Sequence, residues 1–115
     1  MPLVTLGYLI AQKLHACTDH SIPEWANDRA RDLVDVLLVR RRLADTELAE
    51  VRQACVEIFR LREKHAWPPT ITVLPAWPQL YRAEVAKIPG FTPTDVDHAA
   101  DDVAALIAQI DTATD

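Results

Sequence analysis

Four prolines crowd into the twelve residues WPPTITVLPAWP, at 67–78. Proline has no N–H to donate and its ring collides with the preceding helical turn, so no helix runs through this stretch. Before it, apolar residues recur at spacings of three and four in three blocks, the mark of helices with one buried face. The first helix is expected to start at Thr5, whose hydroxyl can cap it, and to run to about Asp19. HSIPEWAND (20–28) reads as a loop broken by Pro23, with Asn27 or Asp28 capping a second helix, RARDLVDVLLVRRRL (29–43). The third helix, ADTELAEVRQACVEIFRLREKHA (44–66), takes Asp45 or Thr46 as its cap, and Glu47 and Glu50 suit its positive end.

Beyond the prolines, PQLYRAEVAKIPG (78–90) predicts a short helix opened by Pro78 and stopped by Pro89-Gly90. TPTDVDHAADDVAALIAQID (92–111) predicts the last, capped by Thr94 or Asp95, with Val96, Ala99, Val103, Leu106, Ile107 and Ile110 as its apolar stripe. TITVL (70–74) has room for one short edge strand. The fold class is therefore mainly α, about five helices with at most one strand. Residues 1–66 are expected to form a three-helix unit, 67–79 a connector and 80–115 a helical pair, all packed as one domain.

Charge and composition exclude several classes. A net charge of -5 argues against a protein that coats nucleic acid. Two cysteines at unrelated positions are no disulfide framework, so a reducing, cytoplasmic setting with free thiols is expected. The start, MPLVTLGYLIAQK, lacks the basic leader and small-residue cleavage site of a signal peptide. No apolar run approaches the roughly 20 residues of a membrane span, so no membrane partner is expected. The chain has only two glycines, Gly7 followed by Tyr8 and Gly90 followed by Phe91, so it contains no Gly-rich phosphate loop.

Lys13 breaks the pattern of the first helix. With successive residues turning by about 100°, it falls roughly 20° from Leu6, amid the arc of Leu6, Ile10 and Cys17. A lysine there either snorkels, its stem covering apolar surface, or turns its ammonium into a cleft to meet a phosphate or carboxylate. His15, Cys17 and His20 do not make a metal site. His15 and Cys17 point roughly 160° apart on one helix, so Cys17 reads as a small core residue.

The second helix is apolar almost all round, through Leu33, Val34, Val36, Leu37, Leu38 and Val39, yet Asp32 and Asp35 interrupt it on one face. Buried carboxylates need partners. Local ones are available: Arg31 stands four residues before Asp35, and Asp28 and Asp32 lie near the helix's positive end. Alternatively, an antiparallel packing of the first two helices brings Lys13 to Asp32 or Asp35. That trio suits a phosphate-bearing substrate and a hydroxyl that needs a base.

The order LGYLIAQKLHA, loop, NDRARDLVDVLLV resembles the C-terminal half of AbiEii/AbiGii-type nucleotidyltransferase toxins, and the tail HAWPPTITVLPAWPQLYRAEVAKIPG is similar to the end of that family. The resemblance covers nearly the whole chain, and the K-L-H-A and R-x-R-D-x-x-D pair carries it. It implies the C-terminal helical part of a nucleotidyltransferase fold, a nucleoside triphosphate and magnesium, and a toxin of a toxin–antitoxin or phage-defence system. It implies a tRNA acceptor and a separately encoded antitoxin as partners. By motif position Lys13 is nucleotide-binding, Arg29 and Arg31 are flanking phosphate contacts, and Asp32 or Asp35 is the catalytic or orienting acid.

The family's first motif, a Gly-Ser turn followed by D-x-D, binds its metal ions, and nothing of it precedes Lys13. DVD at Asp95–Asp97 has the letters, but it lies at a helix start without Gly-Ser and reads as a cap. No metal ligands are therefore assigned. The metal-binding N-terminal half is expected on another segment or chain, nucleotide and magnesium are expected to bind only weakly here, and the chain alone is expected to be inactive. Two rivals follow from the same residues. One is a non-catalytic helical module that binds a partner or antitoxin. The other is a HEPN-type ribonuclease, through Arg60 and His65 in RLREKH, but on one straight helix those two point about 140° apart.

Overall fold

The computed structural model describes residues 3–18, 29–63 and 65–113, with side chains from Leu6 onward. Among the described residues five α-helices follow in order: α1 (Leu3–Thr18), α2 (Ala30–Arg40), α3 (Leu48–Arg62), α4 (Trp77–Val85) and α5 (Val96–Thr112). A 3-10 turn, Asp45–Glu47, leads into α3. No strand occurs among the described residues. TITVL runs through the Pro-rich connector without pairing into a sheet. None of the helices is long and apolar enough to cross a membrane.

The helix ends show where side-chain chemistry misleads. Thr5 lies inside α1, which begins at Leu3, so the expected cap is an interior residue. Asn27 and Asp28 lie outside the described residues. Position Arg29 precedes α2 with no side-chain cap. The second helix stops three residues early because the chain turns back on itself: Arg40 donates to the Leu43 carbonyl at 3.1 Å and to Asp45 at 2.7 Å. Asp45 is thereby drawn to Arg40 rather than capping α3. Glu47, at the N-cap position of α3, does not cap it with its side chain either; its carboxylate reaches back to accept from the Ala44 N–H, ahead of the 3-10 turn, at 3.1 Å. α3 ends at Arg62, not Ala66. Glu63 takes the left-handed conformation (φ 52°) and its N–H donates to the Phe59 carbonyl. The cap of α5 is the expected one, Asp95 accepting from the His98 N–H at 3.1 Å.

One apolar core draws residues from all five helices, among them Ile10, Leu14, Leu33, Val36, Val51, Cys55, Trp77, Tyr81, Val103 and Ile110. α1 packs most closely on α3 and also on α2, while α2 and α3 each pack against α5 as well. α4 closes the assembly against α2 and α5. Polar anchors tie the Pro-rich connector and the α4–α5 link to this frame. The Trp67 indole donates to Asp111 at 2.9 Å, and the Tyr81 hydroxyl donates to the Pro93 carbonyl at 2.7 Å. Anchoring each link in this way lets irregular segments cover core surface without a sheet.

Candidate functional site

Lys13 and the two acids of α2 meet. Lys13 lies on the face of α1 that packs against α2, and its Nζ stands 3.0 Å from Asp35 Oδ2 and 3.4 Å from Asp32 Oδ1. A residue in the C-terminal half of α1 thus reaches the N-terminal half of α2, the pairing expected of antiparallel neighbours. The ammonium neither simply snorkels nor stands free, because both carboxylates hold it. Arg31, the local alternative, is exposed and forms no ion pair with Asp35.

The two acids differ in place. The Asp32 side chain is 2% exposed and that of Asp35 is 34% exposed, against 31% for Lys13. The second oxygen of Asp32 is buried beyond hydrogen-bonding distance of any partner, and its nearest cation is the Arg29 guanidinium at 3.6 Å. Burial pushes the Asp32 carboxyl above its ordinary pKa, with Lys13 and Arg29 pulling the other way. Burial alone would pull Lys13 down, but its bonds and charge interactions with Asp35 and Asp32 outweigh that, and its pKa is held up. Asp32 lies enclosed beside Lys13. Asp35 opens outward.

What Asp35 opens into is a cleft of about 380 Å³ between α1 and the C-terminal part of α2, lined by Leu9, Lys13, Asp35, Leu38, Val39 and Arg42. Leu38 and Val39 are therefore not core residues, as the all-round apolar pattern of α2 implied; both are half-buried walls of the cleft. The size falls within the range of about 300–1,000 Å³ typical of small-molecule clefts, and so does the mix of apolar wall with a few charged groups. Sequence reasoning did not single out Arg42. Its only signal is a position seven residues, or roughly two helical turns, beyond Asp35.

The remaining candidates separate from this site. His15 is buried, its ring centroid 4.9 Å from Phe59 and 4.7 Å from His65. Cys17 is buried, and burial first, then the nearby Asp32 charge, push its thiol up to about 12. Cys55, also buried, is likewise pushed up to about 12, and both cysteines are free. His20 lies outside the described residues. His65 follows the end of α3 instead of extending it, and its Nε2 stands 2.6 Å from the Thr18 hydroxyl, while Arg60 is exposed. In DVD, Asp95 is occupied as the α5 cap and Asp97 is exposed.

Comparison with known proteins gives one assignment. The sequence model of the family described as "Nucleotidyl transferase AbiEii toxin, Type IV TA system" matches residues 1–105. No curated protein matches the chain. The match takes in both helices of the Lys13 cleft and continues through most of α5. The chain belongs to the AbiEii family of nucleotidyltransferase toxins of type IV toxin–antitoxin systems.

Proposed function

We propose that this chain supplies the nucleotide-holding and acceptor-orienting part of a nucleotidyltransferase site, acting on a nucleoside triphosphate and a tRNA acceptor. The observation that carries the proposal is the Lys13–Asp35 pair, 3.0 Å apart at the wall of an open cleft. Lys13 meets a phosphate as a point charge when the ligand draws it from Asp35. Asp35, a third exposed, then has a free oxygen to accept the acceptor's hydroxyl proton. The hydroxyl oxygen bonds the α-phosphorus, the bond to the β-phosphate oxygen breaks, and pyrophosphate departs with that electron pair. Asp32 and Arg29 position Lys13 from below. Arg31, exposed at the start of α2, is a contact for phosphates of a larger acceptor.

Magnesium does not fit these residues. A divalent ion is held by carboxylate oxygens with charge to spare, whereas Asp32 and Asp35 are matched by Lys13 and Arg29. The metal-binding carboxylates of the transfer reaction belong, in this proposal, to a segment other than these 115 residues. An antitoxin is the natural partner of a toxin of this family.

The test is labelled-nucleotide incorporation into tRNA, with the chain alone and with a family Gly-Ser…D-x-D half fused before Pro2 or added separately. The chain alone should be inactive, since losing the electrostatic stabilisation of the transferring phosphoryl group costs a rate factor of about 1,000 or more. The completed enzyme should transfer, and Lys13→Ala or Asp35→Asn should each lower its rate by about 100-fold or more. Full activity of the isolated chain, or restored activity indifferent to Lys13, contradicts the proposal. A purely partner-binding module would show no transfer in any combination.

A further inference from the structure

We propose that Arg42, outside the R-x-R-D-x-x-D motif, is the anion-holding residue of the Lys13 cleft, and that Leu9, Leu38 and Val39 beside it receive the nucleoside of a nucleoside polyphosphate. The inference rests on the nucleotide reading above and adds the residue that grips the ligand. It follows from charge accounting in the cleft. Lys13 is shared between two carboxylates, and Asp32 is also approached by Arg29, so these two cations and two anions cancel. Arg42 lines the same cleft, is exposed, and has no carboxylate or hydrogen-bond partner for its guanidinium among the described residues. Its neighbours are both spoken for: Arg40 bonds Asp45 and the Leu43 carbonyl, and Arg41 donates to the Thr92 carbonyl at 2.6 Å and covers the Phe91 ring.

An anion entering the cleft therefore meets Lys13 already matched by Asp35 at one side and the unmatched Arg42 guanidinium at the other, so Arg42 supplies the net attraction. The guanidinium's planar fork matches two phosphate oxygens at once, which an ammonium cannot do. Asp35 lies within α2 and Arg42 in the turn that follows its end, and both line the cleft, so the two engage different parts of one ligand. Beside them the wall is aliphatic at Leu9, Leu38 and Val39, which suits a base or sugar. A bare polyphosphate uses only the Arg42 end. A nucleotide uses both.

Calorimetric titration with ATP, GTP, CTP and UTP, and separately with inorganic tripolyphosphate, tests this on wild type, Arg42→Ala, Arg42→Lys and Arg82→Ala. Arg82 is exposed on α4, away from the cleft. Expected is binding of at least one nucleotide more tightly than tripolyphosphate, both weakened about tenfold or more by Arg42→Ala, less by Arg42→Lys, and not by Arg82→Ala. Nucleotide binding untouched by Arg42→Ala overturns this inference and leaves the nucleotide reading standing. Arg42-dependent tripolyphosphate binding with no gain from any nucleoside keeps Arg42 as the anion holder but overturns the nucleoside wall and the nucleotide reading together. Failure of every probe to bind wild type at millimolar concentration overturns both.

Discussion

Asp32 is ionisable and almost wholly enclosed, and what happens to it when its counter-charge is removed measures the Lys13 pair. Its raised pKa means that folding is favoured while it is protonated and loses that advantage as pH rises through the raised value. The raised Lys13 pKa contributes stability at all pH below the ordinary lysine value, lost only as pH climbs through its folded value. Lys13→Met strips the main charge opposing Asp32, so the carboxyl rises further. At pH 7 the loss should be about 3 kcal/mol, at the low end for a broken buried pair because Lys13 is a third exposed. The loss should shrink as pH falls through the Asp32 value and the carboxyl takes up a proton. Lys13→Met combined with Asp32→Asn should recover most of it. Urea unfolding at pH 7 and pH 4 checks this; a Lys13→Met cost that is nil at both would reduce the pair to a solvated surface contact. The existence of this pair was legible beforehand, because two acids on an apolar helix and a lysine on an apolar arc each demanded a partner. Which acid was the deeper was not, because the period of a helix gives direction but not depth.

Between elements, the closest approach involves α1 and α3, and Gly7 sits in it. A Cβ built on Gly7 would lie 3.7 Å from Ala54 Cβ and 3.7 Å from the Val51 Cα, ordinary contact distances. One methyl fits, already in contact with the α3 backbone, so the γ-carbons of a branched side chain are expected to crowd it. Glycine inside a helix costs up to about 1 kcal/mol relative to alanine. Gly7→Ala should therefore raise the melting temperature by a few degrees, and Gly7→Val should lower it. A fall with Gly7→Ala would show that the two helices approach more closely than described. The helices themselves were readable from periodicity and proline placement. Their ends were less so. Thr5 has the right hydroxyl for a cap, but Leu3 and Val4 ahead of it continue the helix. Asp45 has the right carboxylate, but Arg40 claims it. Local capping preference is worth about 1 kcal/mol, small enough for one long-range contact to redirect it.

At the scale of the whole molecule, the cleft is a product of how α1 and α2 end. α1 supplies Leu9 and Lys13, and α2 supplies Asp35, Leu38 and Val39 before its chain turns back through Arg42. The pattern of α2, apolar almost all round, does not single out Leu38 and Val39 as cleft walls, since an apolar run cannot show that α5 and α4 cover one side of α2 and leave another open. Arg42 escaped notice because it is one of three consecutive arginines at the end of the expected helix, and the sequence does not say which of them turns to the cleft once α2 stops at Arg40. The central claim is that this cleft, and not another, receives the nucleotide. A second cleft of about 400 Å³, lined by Arg52, Val56, Phe59, Arg60, Ala66, Trp67 and Asp111, offers the sharpest contrast. The direct measurement is a methyl-detected NMR titration of the leucine- and valine-labelled chain with the best-bound nucleoside triphosphate. The account predicts the largest shifts at the Leu9, Leu38 and Val39 methyls, with Val56 unmoved. Shifts centred on Val56, with those three unchanged, would contradict it.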